Sequence, residues 1–298
     1  MSSGWVAAPP VFSAAFTPPA YACDTHSHVF GPPSDFPPSH PSVYDLPEAT
    51  ADCHRAFLNQ LGLQRGVLTQ PAPYGADPSA MLAAIGASQG SLRGVAVADA
   101  TIDQEALARW KQGGIDGLRF TEMKSPSGEP YPGSVGFGAL KALAPAMREL
   151  GIHAQLWAPL ATLADDLPDL LNLGVPLVLD HMAMAGPEPD IDTPSIQKIL
   201  DLTSNEDLWV KLVVCRLGRP DQTPTPAIRR LHDAFLAARP DRMVWGSDWP
   251  YVRLSPSPDA GRMLDIFAQW VNDTSLIHRV LVDNPKSLYS FGDTDSHD

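Results

Sequence analysis

Two histidines stand two residues apart in an otherwise apolar run, Ala22-Cys23-Asp24-Thr25-His26-Ser27-His28-Val29-Phe30. Side chains at i and i+2 of a strand leave on the same face, so His26 and His28 point together, with Asp24 one step deeper. Two further apolar runs close on ionisable residues: "VPLVLDHM" ends at Asp180-His181, and "RMVWGSDWP" carries Asp248. Three imidazoles and a carboxylate allow two kinds of chemistry. A carboxylate can take a proton from water while nearby donors stabilise the oxyanion forming on a carbonyl. The same four residues, His26, His28, His181 and Asp248, are also a sufficient and suitable ligand set for one zinc ion. A single buried histidine is more often a hydrogen-bonded core residue, so the functional reading rests on the four taken together.

Four residues spread over more than two hundred positions meet only if the elements carrying them share one rim. The chain alternates short β-rich runs with amphipathic stretches. The candidate strands are 22–30, 65–71, 92–100, 116–123, 153–159, 175–182, 208–215 and 242–250. Stretches such as "FGALKALAPAMRELG" between them have apolar residues at three- and four-residue spacing, and most stop at glycine. Eight such units predict a single-domain α/β fold, a (β/α)8 TIM barrel spanning 22–291. A doubly wound open sheet is the alternative, but it has fewer strands as a rule, and its Gly-rich phosphate loop is missing here. In a barrel the active site gathers at the C-terminal strand ends. His26 and His28 fall there on the first strand, His181 on the sixth and Asp248 on the eighth. Gln70, Arg119, Lys124 and Arg216 lie at or just beyond other strand ends.

The remaining candidates carry less. His40, His54, His232, His278 and His297 lie in loops, helices or the tail, and His153 opens its strand at the wrong end. "GASQG" around Ser88 matches a nucleophile elbow in letters, but it follows a helix and precedes a strand, the reverse of what an elbow needs. Cys23, Cys53 and Cys215 are far apart and form no Cys-x-x-Cys pair, which suggests reduced structural thiols.

Composition bounds the partners. The 298 residues are 44% hydrophobic and 18% charged, with a formal net charge of -13. That balance argues against a nucleic-acid surface but leaves room for a locally positive pocket. No run of about 20 apolar residues could span a membrane. The start lacks a basic segment followed by an apolar core, so cytoplasmic residence is the expectation. Residues 1–21 read as a Pro-rich extension and 292–298 as a flexible tail. Self-association into a homo-oligomer is left open.

"DTHSHVF", "VLDHM" and "WGSDWP", with "VYDLP", "GVLTQPAPYGAD", "GLRF", "WVKL" and "DNPKSLY", resemble the amidohydrolase superfamily. The likeness runs from about Ala22 to Phe291. It is narrowest to a branch of predicted metal-dependent hydrolases that contains lactone hydrolases and lactone isomerases. The resemblance implies that Asp248 acts as general base on water, with His26, His28 and His181 around a lactone carbonyl. It implies further that Arg119 clamps a substrate carboxylate, that Arg216 is a second such clamp, and that Tyr44 and Gln70 touch substrate. Lys124, Met184 and Tyr251 stand where the lactonase pattern has a basic pair, an arginine and a histidine, and Lys124, Trp157 and Tyr251 complete the candidate substrate contacts. These departures remove at least two cationic contacts, which implies a less highly charged substrate or one with a larger apolar part. Members of the superfamily often hold one or two divalent ions. Here Gln155 or Trp157 stands where a fifth-strand histidine ligand would be, so a binuclear centre is not expected. The lactonase likeness implies a site that requires no cofactor, with a single zinc or other divalent metal as the alternative occupant. The function expected is hydrolysis of a small carboxylated lactone in aromatic or sugar-acid catabolism. Lactone isomerisation, decarboxylation and a non-catalytic acid-binding barrel are the rivals.

Overall fold

The computed structural model describes residues 4–217 and 224–292. Eight parallel strands pair in strict sequence order: β1 (Cys23–Ser27), β2 (Arg65–Thr69), β3 (Leu92–Ala96), β4 (Ile115–Thr121), β5 (His153–Trp157), β6 (Leu177–Leu179), β7 (Leu208–Leu212) and β8 (Met243–Trp245). The ring closes just past β8, where Asp248 N donates to His26 O at 2.7 Å and His28 N donates to Trp249 O at 2.8 Å. This is the (β/α)8 barrel expected from the strand count. Its strands are buried almost throughout, because helices cover the outer face while side chains fill the interior.

In the first covering helix the sequence supplies both an apolar stripe and a stop. Between β1 and β2, α1 (Ala51–Leu61) starts at Thr50, whose side chain accepts from Cys53 N. It ends at Gly62 in the left-handed region (φ 71°), and buries His54, Phe57, Leu58 and Leu61. The other covering helices are α2 (Ser79–Gly86), α3 (Gln104–Gln112), α4 (Phe137–Leu150), α5 (Leu160–Leu171), α6 (Pro194–Leu202), α7 (Pro226–Ala238) and α8 (Ala260–Val271), of which α4 also stops at a left-handed glycine, Gly151 (φ 61°).

The described part of the N-terminal segment wraps the outside. Trp5–Ala7 pairs in parallel with Leu46–Glu48, and Asp265 of α8 accepts from the backbone of Ala15 and Phe16. Apart from Gly292, the expected tail lies outside the described residues. No helix among the described residues is long and apolar enough to cross a membrane.

Candidate active site

β1 is not a regular strand. Its pairing with β2 gains one residue between Asp24 and Ser27, a bulge that interrupts simple alternation. The Asp24 carboxylate turns to β8, accepting from Ser247 N and Oγ and from His26 N. It therefore ties the two strands that carry His26 and Asp248 instead of joining the imidazoles. Gly246 makes their approach feasible. A Cβ there would lie 2.7 Å from His26 Cβ and 2.9 Å from His26 N, so any side chain would push the strands apart.

The expected residues converge. His26 Nε2 lies 3.4 Å and His28 Nε2 3.3 Å from Asp248 Oδ1, while His26 Nδ1 lies 3.2 Å from Asp180 Oδ1. The His26 ring centroid is 5.1 Å from that of His28 and 4.8 Å from that of His181. His28, His181 and Asp248 line a cavity of about 490 Å³, open mouth included. Phe30, Tyr44, Tyr131 and Trp157 provide its aromatic walls. His26 is fully buried and does not line the cavity.

Charge is balanced in pairs. Arg216 Nε donates to Asp248 Oδ2, and Nη1 donates to Val252 O at 2.7 Å. Arg119 donates to Asp180 Oδ2 through Nη2 (2.9 Å) and Nε (3.2 Å), with its guanidinium 4.8 Å from the Trp157 ring centre. Lys211 is fully buried inside the barrel, where Nζ donates to Thr25 O and Gln155 Oε1, both at 2.7 Å. Gln155 Nε2 in turn donates to Asp180 Oδ2 at 3.1 Å.

Burial and these pairings set the protonation states. Burial alone would push the Asp248 carboxyl up, but the Arg216 charge, the His28 hydrogen bond and the neighbouring imidazoles together hold it far below the usual carboxylate range. For Asp180 too, burial is outweighed, here by His26 and Arg119, and the carboxyl sits well below its usual value. Burial lowers His26 and brings His181 down to about 4, so both imidazoles are neutral at pH 7. It also draws Lys211 down to about 8.

The backbone here is unusual. After β6, His181, Met182, Ala183 and Met184 all have positive φ, between 47° and 57°, a left-handed run with no glycine in it. Asp248, Tyr251 and Arg253 also have positive φ. Each such residue costs roughly 1–2 kcal/mol, and strain of this kind collects at functional sites.

Three expected contacts lie elsewhere. Lys124 is exposed in a bridge with Pro130. Gln70 spends its side chain on backbone, donating to Gly75 O and Asp77 O and accepting from Val97 N. Tyr251 is buried, and its hydroxyl has no partner among the described residues. None of the three lines the cavity, whereas Tyr44, Arg119, Trp157 and Arg216 do. Sequence reasoning gave no site role to Lys211, Tyr131 or Arg253. The inward position of Lys211 in "LWVKL" was the available signal for the first, and the others sit in irregular loops that offer none.

The donor set fits a divalent cation. His26, His28 and Asp248 each offer an atom, all within 4.8 Å of one another, and His26 Nε2 has no hydrogen-bond partner among the described residues. His28 Nδ1 donates to Thr69 O at 2.7 Å, which turns Nε2 toward Asp248, the orientation a metal-ligating histidine adopts.

A (β/α)8 barrel with a His-x-His pair closing its first strand and an aspartate following its last defines a class of hydrolase barrel. The family described as Amidohydrolase matches residues 23–291, and the chain belongs to it. Over 285 residues, 92% of each chain, it is 30% identical to a 4-sulfomuconolactone hydrolase of Rhizobium radiobacter. Over 298 residues, again 92% of each, it is 30% identical to a 2-pyrone-4,6-dicarboxylate hydrolase of Comamonas testosteroni. The crystal structure of a probable 2-pyrone-4,6-dicarboxylic acid hydrolase from Acinetobacter baumannii, with citric acid bound, superposes with a TM-score of 0.76 at 28% identity. That match covers 91% of this chain and all of the other.

Proposed function

We propose that the protein opens a carboxylate-bearing lactone by hydrolysis, with Asp248 accepting the proton of the attacking water. One observation carries the reading: Asp248, His28 and His181 open together onto a single aromatic-walled cavity that also receives guanidinium groups. Water adds to the lactone carbonyl as its proton passes to Asp248, and an N–H of His181 stabilises the oxyanion, with His28 and His26 packed beside Asp248. The ring C–O bond then breaks, and the leaving oxygen takes the proton back from Asp248. An aspartate this acidic is a weak base but, once protonated, a strong acid. The arrangement therefore suits a strained or conjugated ester with a stable leaving oxygen, and suits an amide poorly.

In this reading the side chains suffice and no metal is required, since Arg216 already neutralises Asp248. The orientation of His28 favours a second reading, in which His26, His28 and Asp248 hold one divalent ion that supplies Lewis acidity and a bound water of lowered pKa. Ring opening of a lactone panel in ¹⁸O-water, followed by NMR and mass spectrometry, tests the function. One ¹⁸O in the product carboxylate is expected; an isomer or a decarboxylated product without the label overturns hydrolysis. Metal analysis of chelator-dialysed protein decides between the two readings: activity that survives complete metal removal supports the first, and activity lost and restored by zinc supports the second.

A further inference from the structure

Among the described residues, three guanidinium groups reach the cavity, and two are already committed. Withdrawing Arg119 to bind a substrate would strand Asp180, and withdrawing Arg216 would strand Asp248; both carboxylates are essentially inaccessible to water. Stripping a buried carboxylate of its partner is costly. Arg253 differs. It lines the same cavity from the loop after β8, exposed at the mouth, with its guanidinium 5.5 Å from the Tyr131 ring centre. No carboxylate and no hydrogen-bond acceptor engages it among the described residues. An anion can therefore dock on Arg253 without breaking an existing pair, and a planar group can rest on Tyr131 beside it.

We propose that Arg253 is the residue that selects an anionic substrate, holding a carboxylate or sulfonate at the cavity mouth while the lactone ring points inward to Asp248. The inference rests on the lactone-hydrolase reading for its substrate, but the docking of an anion does not depend on turnover. It also fixes orientation: the charged end of the substrate faces solvent, and the Arg119–Asp180 and Arg216–Asp248 pairs stay closed.

The probes are coumalate (2-pyrone-5-carboxylate) and its methyl ester for turnover, and benzoate and benzamide for binding by calorimetry. In the wild type, the acid should be preferred to its ester and benzoate to benzamide. Arg253→Met should lower both preferences by roughly 10-fold, the size of a charge-assisted hydrogen bond partly exposed to water, and Arg253→Lys should keep most of each. If Arg253→Met opens the two pyrones with the wild-type acid-to-ester ratio, the proposal is overturned while the hydrolase reading stands. If neither pyrone nor any other lactone is opened, yet benzoate binding depends on Arg253, the hydrolase reading fails and the anion site stands. Equal binding of benzoate to wild type and Arg253→Met removes the site.

Discussion

Arg216 and Asp248 are joined by a direct Nε–H donation to Oδ2, deep in the rim, where the aspartate is almost wholly shielded from water. The pair sets the acidity of the group proposed to handle the proton. Asp248→Asn should lower ring opening by about 10³-fold, within the usual contribution of a general base. Arg216→Met should act differently. Loss of the guanidinium lets burial push the Asp248 carboxyl back up, so the aspartate protonates at higher pH. The acidic limb of kcat/KM should then move to higher pH. An unmoved limb would show that another group governs it.

The closure of the barrel depends on a missing side chain. Gly246→Ala would place a methyl 2.7 Å from His26 Cβ, where neither backbone can yield without shifting the bonds from Asp248 N to His26 O and from His28 N to Trp249 O. A loss of about 2 kcal/mol in urea unfolding is expected, typical of overpacking, together with reduced turnover from the displaced His26. A variant as stable and active as the wild type would show that the strands have slack.

Which parts of this arrangement the sequence reveals follows from what each part depends on. The barrel is legible because strand and helix periods repeat eight times, and the four polar strand ends are legible because alternation and topology alone send them to one rim. The bulge in β1 was hidden, since nothing in "CDTHS" marks an extra residue, so Asp24 read as a member of the histidine face when it ties β1 to Ser247. The left-handed turn carrying His181 was hidden as well, because "DHMAM" has none of the glycines such backbone normally recruits. Gln70 and Lys124 were read from position along strands, but side-chain direction in the loops beyond decides contact. Arg253 lies in such a loop, and only tertiary packing brings it to the cavity.

Asp180 collects Arg119, Gln155 and the near edge of His26 in a fully buried cluster. Asp180→Asn should cost roughly 3 kcal/mol in chemical denaturation, because Arg119 is left charged and buried without its partner. Arg119→Met should be costly alone, yet the double variant should recover part of the loss, with a coupling energy of about 1 kcal/mol or more. Simple additivity would mean that the two side chains do not sense each other.

Acid should unfold the protein partly through two histidines outside the proposed chemistry. His54 and His153 are fully enclosed, and burial lowers each to about 3 from the ordinary 6.5. Between those values the unfolded chain binds protons that the folded chain refuses. The stability is therefore complete above pH 6.5 and declines as pH falls toward 3, by about 1.4 kcal/mol per pH unit for each histidine. His153→Leu should remove one of the two contributions. Its ring packs edge-on to Tyr289 at the end of the barrel away from the cavity, so the effect should appear in stability and not in turnover. Urea midpoints measured from pH 7 down to pH 4 should fall less steeply for His153→Leu than for the wild type. Parallel slopes would show that the His153 imidazole is protonated in the folded protein.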